Sequence, residues 1–252
     1  MFKKIKELIF GPSDIYENEI LYHKNGKVMY RGSMKGSNFH GHGMYYNEDG
    51  TLSYEGNFLN GLPHGNGKAY LENNETYEGD FYHGKRTGIG IYKWSEDEYY
   101  TGNFVDGVKH GKGELRLKDG TTYTGIFAED KLQGEGTVVY SNGDVYEGSF
   151  IDGVPSGMGK LTISDGVYEG EIHEGLPHGK GSFKWNEGFF CVLYRGDFYE
   201  GMMTGKGMMT YVNYHKYIGE FLNGQRHGKG TYIDEFGKQY EGYFEYDLAV
   251  ES

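Results

Sequence analysis

One motif, Tyr-x-Gly, returns ten times along the 252 residues at nearly equal spacing, and this periodicity confines the chain to a repeat architecture. The tyrosines are Tyr30, Tyr54, Tyr77, Tyr100, Tyr123, Tyr146, Tyr168, Tyr194, Tyr217 and Tyr240, most of them 23 residues apart. A large apolar residue follows four positions after each, as at Met34, Phe58, Phe81, Ile172 and Phe221. Tyr-x-Gly-x-Phe has a period of two, which puts the three residues on one face of a β-strand. A Gly-x-Gly pair follows in nine of the repeats, from Gly41 and Gly43 to Gly228 and Gly230, with an apolar position two residues later. That is a second strand of the same alternation. A glycine-bearing turn joins the two strands, as at Gly61 and Gly84. A second turn, often Asp-Gly or Asn-Gly, leads to the next repeat.

Composition supports order rather than a flexible linker. The chain has 44 glycines, more than twice the usual share of about 7 %, yet aromatic residues make up 17 % and are spread throughout. Thirty-five of the 44 glycines occupy repeat positions. A glycine between two aromatics on one strand face leaves room for a ring to lie across the backbone. A single hairpin is marginal in water, whereas stacked hairpins bury a continuous row of rings. The expected fold is therefore all-β, an elongated single-layer solenoid of stacked antiparallel β-hairpins. Full repeats start at residues 30, 54, 77, 100, 123, 146, 168, 194 and 217, with terminal half-repeats at 20–29 and 240–252. Residues 1–19 stand apart as an N-terminal segment before the 20–252 array.

The pattern resembles the MORN repeat (membrane occupation and recognition nexus). The resemblance is carried by Tyr54, Gly56, Phe58, Gly65 and Gly67, by Tyr77, Gly79 and Phe81, and by Tyr217, Gly219, Phe221, Gly228 and Gly230. It implies a scaffold at membranes or cytoskeletal structures that docks protein partners and in some members contacts lipid. The fifth repeat departs from the pattern, with Asp130 at the turn glycine and Gln133 where histidine is usual. The seventh carries three extra residues in its last turn.

Residues 1–10 (MFKKIKELIF) can form a short amphipathic helix with two readings. It is either a cap over the first hairpin or an in-plane membrane contact through Phe2, Lys3, Lys4, Ile5, Lys6 and Ile9, drawn to anionic phospholipid. The segment lacks the apolar run of a signal peptide. The lone cysteine, Cys191, fits a reducing compartment, so a cytoplasmic protein, peripheral to a membrane or cytoskeleton, is expected.

The chemistry of catalysis is sought without result. His40, His64, His110, His178 and His227 precede the Gly-x-Gly pairs, but the repeat spaces them about two strands apart, near ~10 Å, too far to share a metal. A hydrogen-bonding role at the turn is expected instead. Gly-Lys pairs such as Gly228-Lys229 lack the rest of a phosphate-binding loop. No catalytic, cofactor or metal-binding residue is assigned, and no enzyme activity is expected.

A net charge of −12 argues against nucleic acid as a partner. Acids opposite the aromatic row (Glu55, Glu78, Asp80, Glu147, Glu169, Glu171, Asp197, Glu220, Glu241) form either a solvated face or a stripe for a basic partner. Lys112, Lys180, Lys206 and Lys229 sit between paired glycines, and Lys160 follows its pair. Apolar residues on the same side, Leu59, Tyr82, Val105, Ile151, Tyr199 and Leu222, either pack among themselves or form a groove. The stretch Phe189, Phe190, Val192 and Leu193 around Cys191, where the period lengthens, is the strongest local candidate for a partner site. The function expected is a non-catalytic scaffold docking protein partners along an extended sheet face. The alternatives are a peripheral membrane protein and an accessory subunit of a separate enzyme. An open sheet edge at the last half-repeat also allows a homodimer.

Overall fold

A computed structural model describes residues 15–250, so Phe2, Lys3, Lys4, Ile5, Lys6 and Ile9 lie outside the described residues. The described chain is all-β, with 21 strands and no α-helix among them. No described helix is long and apolar enough to cross a membrane. The first strand, β1 (Ile15–Tyr22), begins five residues before the array boundary expected at residue 20 and pairs with β2 (Val28–Lys35). Residues 15–19 are therefore strand, held by the pairings Ile15↔Lys35 and Glu19↔Gly32.

The chain forms two compact bodies. Among the described residues, one contains 15–120 together with 127–130, and the other contains 121–126 and 131–250. The division runs through β10 (Thr122–Ala128). Within each body successive strands pair antiparallel in chain order, with one register shift in most repeats, as between Gly170 and Ile172. The shift falls where the Gly-x-Gly strand begins. The extra residue bulges there, and the first glycine of the pair takes a left-handed conformation, as at Gly179 (φ 58°).

Burial follows the repeat. In the first body Tyr30, Tyr54, Tyr77 and Tyr100 are buried with Phe58, Phe81, Phe104 and Phe127. Phe58, Phe81 and Phe104 each meet two tyrosines edge to face. Phe104 lies 5.1 Å from Tyr77 and 5.1 Å from Tyr100. The second body repeats the arrangement, with Phe198 lying 4.9 Å from Tyr168 and 5.2 Å from Tyr194. Such perpendicular pairs match the positive edge of one ring to the negative face of the next. The tyrosine ring lies over the glycine pair, and its hydroxyl donates to a carbonyl of its own strand, as from Tyr168 to Glu171 O at 2.6 Å. Burial pushes the phenols of Tyr30, Tyr54, Tyr77, Tyr100, Tyr146 and Tyr168 up to about 12. The fifth repeat is different: Tyr123 is only half-buried, and Leu132 fills the space beside Gly125.

Backbone bonds tie each hairpin turn to the preceding repeat. The turn N–H donates to the second residue of the earlier Gly-x-Gly strand, from Gly61 to Phe39 O at 2.9 Å and from Gly224 to Met203 O at 2.8 Å. The aspartates that replace this glycine keep the bond. Asp130 N–H reaches Lys109 O at 3.2 Å, and Asp247 N–H reaches Arg226 O at 3.0 Å. Their carboxylates also accept the Lys109 N–H at 2.9 Å and the Arg226 N–H at 2.9 Å. Asp130 thus follows from the cation it faces, Lys109, which lies over the Trp94 ring at 5.4 Å. Burial pulls the Lys109 ammonium below its ordinary range.

Candidate docking surface

The face opposite the aromatic row is less negative than the sequence suggests. Five of its acids are engaged, in two ways. Asp80, Glu171 and Asp197 turn back on their own scaffold and accept the N–H of the residue between the paired glycines, as from Lys180 to Glu171 at 2.9 Å and from Lys206 to Asp197 at 3.0 Å. Others face a lysine: Lys68 bridges to Glu78 at 3.2 Å and Lys160 to Glu147 at 3.6 Å. The Lys180 ammonium against Asp197 holds that carboxyl below the usual range. Lys180, Lys206 and Lys229 do gather, with Arg195, Met208 and Ile218, around an open groove of about 680 Å³ in the second body. Lys112 belongs to the first body.

The histidine positions also read differently. Nδ1 of His40, His64 and His227 is buried without a hydrogen-bond partner among the described residues. The rings pack instead against a tyrosine of the following repeat, His64 on Tyr82 at 5.3 Å, His178 on Tyr199 at 5.1 Å and His227 on Tyr246 at 5.2 Å. At His64, His178 and His227 the next repeat brings an aromatic ring over the slot, and packing takes the place of the expected hydrogen bond at Nδ1 of His64 and His227.

The apolar residues singled out from the sequence are divided between the two bodies. Leu59 and Tyr82 belong to the first body and Tyr199 and Leu222 to the second, all at hairpin turns, with the tyrosines exposed and the leucines half-buried. Phe189 and Phe190 lie in the turn between β15 (Leu176–Trp185) and β16 (Cys191–Tyr199), at the opposite ends of the strands. Val192 and Leu193 are half-buried within β16.

Around Phe190 the structure assembles a cluster that the sequence reading missed in part. The turns closing repeats seven, eight and nine are Asn186-Glu-Gly-Phe-Phe190, Val212-Asn-Tyr-His215 and Asp234-Glu-Phe-Gly-Lys238. They expose Phe190 (67 %), Tyr214 (81 %) and Phe236 (86 %), with Phe189 and Val212 beside them. The corresponding earlier turns, among them Asn47-Glu-Asp-Gly50, Glu72-Asn-Asn-Glu75 and Ser141-Asn-Gly-Asp144, expose no aromatic residue at their tips, and Trp94 and Tyr140, which open the turns of repeats three and five, are half-buried. The signal for Tyr214 and Phe236 was this difference between turns at equivalent positions.

These turns are linked. Val212 N–H donates to Phe190 O at 3.2 Å, and the Phe190 ring packs on Tyr211 at 5.3 Å. Tyr232 donates to Nδ1 of His215, whose Nε2–H donates to Glu235. Below them lies a cavity of about 550 Å³ lined by Phe190, Tyr211, Arg226, Tyr232, Tyr240 and Phe244. Arg226 is fixed there by Asp247 at 3.1 Å and lies over the Phe244 ring at 5.2 Å. The nearby thiol suits packing better than attack, because burial pushes Cys191 up and keeps it protonated. The surface offers large, rigid, amphipathic side chains, the chemistry of protein contact.

Comparison with known proteins agrees with the fold. A family model described as MORN repeat matches nine segments: residues 30–52, 54–76, 77–97, 100–122, 123–145, 146–167, 168–189, 194–216 and 217–235. No curated protein matches. Among solved structures, the SAS-4 (dCPAP) TCP domain of Drosophila melanogaster, in complex with a proline-rich motif of Ana2 (dSTIL), is 10 % identical. It matches over 90 % of each chain with a TM-score of 0.24. A catalytically inactive virginiamycin B lyase from Staphylococcus aureus is 15 % identical over 93 % of this chain and 72 % of its own, with a TM-score of 0.14. A streptogramin B lyase is 10 % identical over 94 % and 88 %, with a TM-score of 0.16. These likenesses are too low to carry an argument. The nine matched segments cover most of the sequence, and the chain belongs to the MORN-repeat family.

Proposed function

We propose that the protein is a non-catalytic scaffold that docks a protein partner on the aromatic turns of repeats seven to nine. The observation carrying this reading is the break in symmetry. At equivalent positions the earlier turns carry polar residues, whereas these three expose Phe190, Tyr214 and Phe236 to solvent. Exposed contiguous aromatics weaken solubility without contributing to the core, so an interaction is the physical reason to keep them. The partner contact is apolar at its centre, with Glu187, Glu235 and Lys238 at its rim. Family membership supports a place at a membrane or cytoskeletal structure.

The test is the triple variant Phe190→Ser, Tyr214→Ser, Phe236→Ser. Because these side chains are exposed, each change is expected to move stability by no more than about 0.5 kcal/mol. Proteins cross-linked to the wild-type chain in cells should be lost from the variant. Unchanged cross-linking would sink the docking surface. Flotation of the same pair with anionic and neutral vesicles separates docking from lipid insertion, since loss of flotation in the variant would mean that these rings meet lipid.

A further inference from the structure

On the face opposite the aromatic row, the residue between the paired glycines is His42, Asn66, Ile89, Lys112, Glu135 and Met158 in repeats one to six. In repeats seven, eight and nine it is lysine each time. Lys180, Lys206 and Lys229 therefore stand on alternate strands of the second body, β15, β17 (Met202–Tyr211) and β19 (Gln225–Ile233). Two strand spacings separate each from the next, about 10 Å. The residue after the strand tyrosine changes in the same place. It is glutamate in repeats two, three, six and seven, then becomes Arg195 in repeat eight and Ile218 in repeat nine.

These side chains border the groove of about 680 Å³ described above. Its floor is bare backbone at the glycine ladder Gly181↔Gly196, Gly196↔Gly207 and Gly207↔Gly219. The lysines stand on one side of the ladder. Arg195, Met208 and Ile218 stand on the other, neighbours through the pairings Arg195↔Met208 and Met208↔Ile218. The two carboxylates on the lysine side are turned onto the scaffold. Asp197 meets the Lys180 ammonium and accepts the Lys206 N–H, and Glu220 lies against Gly228, where a Cβ would strike its carboxylate. Arg195, Lys206 and Lys229 form no ion pair among the described residues, and Lys229 Nζ lies 5.5 Å from the Tyr243 ring. Three unpaired cations beside one groove, in a chain of net charge −12, select an anionic ligand there.

We propose that this groove takes an acidic amphipathic helix of a partner protein, laid across the strands. Seven residues of α-helix rise about 10.5 Å, close to the lysine spacing, so acids at i, i+7 and i+14 place one carboxylate opposite each lysine. Apolar residues at i+4 and i+11 then face Met208, Ile218 and the stem of Arg195. A lone phosphate is too small to meet lysines about 10 Å apart, and it leaves Met208 and Ile218 uncovered. An extended segment is no better served. The strands from β15 to β19 are paired on both sides, so this face offers side chains and no free backbone groups. A helix brings its backbone already bonded. Phe190, Tyr214 and Phe236 take no part, and the proposal stands apart from the docking surface above.

The test is fluorescence anisotropy of a labelled, capped alanine–glutamine helix, titrated with the full chain. The peptide carries glutamate at i, i+7 and i+14 and leucine at i+4 and i+11. Saturable binding that weakens with added salt is expected. Two control peptides require no variant protein. One has glutamine for every glutamate, and the other keeps the composition but spreads the glutamates around the helix. Each should bind at least about tenfold more weakly. The double variant Lys206→Gln, Lys229→Gln alters two exposed side chains, so it should keep the wild-type unfolding midpoint and bind the first peptide about tenfold more weakly. No binding of the first peptide overturns the proposal. Equal binding of either control does so too, because apolar adhesion or net charge alone would then be the cause. If the peptide fails and anionic vesicles bind the wild type but not the double variant, the groove takes a lipid headgroup and the proposal is likewise overturned. The Phe190→Ser, Tyr214→Ser, Phe236→Ser chain should bind the peptide as wild type does, so failure of the turn surface and failure of the groove are read separately.

Discussion

Replacing Gly181 by alanine tests whether the repeat glycines exist to admit a tyrosine ring. The added Cβ would lie 2.5 Å from Tyr168 Cε2 and 2.6 Å from Cζ, where ordinary contact begins near 3.4 Å. The ring would have to retreat by almost 1 Å. It is 99 % buried, with Phe198 edge-on at 4.9 Å. Forcing a methyl group into such a site costs about 1–3 kcal/mol. Expelling the ring instead forfeits the hydrogen bond to Glu171 O, about 1 kcal/mol, and roughly 2–3 kcal/mol of burial. The cheaper route sets the loss, about 1–3 kcal/mol, read from urea unfolding midpoints by near-ultraviolet circular dichroism. Tyr168→Ala should cost about 3–5 kcal/mol alone. Adding Gly181→Ala to it should then cost under about 1 kcal/mol, because the clashing partner is gone. If the two changes are additive, or Gly181→Ala costs less than 1 kcal/mol, the close approach is not what selects glycine.

Two further predictions concern titration and the turn aspartates. An ordinary phenol titrates near 10, and the folded tyrosines are pushed up to about 12, so the unfolded chain releases its protons first. Their stabilisation is complete below pH 10 and is lost as pH rises from 10 to 12, on the order of 1–2 kcal/mol for each buried phenol. Unfolding midpoints should therefore fall steeply in that window, and a flat profile would contradict the burial of the hydroxyls. Asp130 combines left-handed backbone (φ 66°) with a carboxylate that accepts the Lys109 N–H. Asp130→Ala loses the bond and keeps the backbone cost, for about 1–2 kcal/mol in total. Asp130→Gly recovers the backbone term and should be near neutral by thermal denaturation.

The fold was legible because the repeat writes itself nine times. Tyr-x-Gly-x-Phe fixes which strand face is buried, and Gly-x-Gly fixes where two backbones meet; all-β structure and repeat membership follow from these. What escaped the sequence depends on neighbours one repeat away. The separation between Asp130 and Lys109 hides their pairing, and the fifth repeat reads as irregular until the two are seen together. The histidines look like polar turn residues because no single repeat contains both His64 and the Tyr82 ring that covers it. The acids look like an open stripe because alternation gives their side of the sheet but not their return to the N–H groups of Lys180 and Lys206. Phe190 was found through the lengthened period around it. Tyr214 and Phe236 sit in turns of ordinary length, and only comparison of equivalent turns reveals them.

The backbone bond from each hairpin turn to the preceding repeat bears on how such a gene changes length. Because the bond connects equivalent atoms in every repeat, duplication or loss of a whole repeat by unequal recombination leaves each junction chemically complete, whereas a frame-preserving deletion of a few residues does not. Two junctions are exceptions. The Lys109–Asp130 and Arg226–Asp247 partners lie 21 residues apart, so a crossover between them separates the aspartate from its cation and, in every other repeat except that of Arg86, places it opposite a phenylalanine, a proline, a leucine or a methionine. Breakpoints within those two intervals should be selected against, and both pairs should be inherited as linked characters.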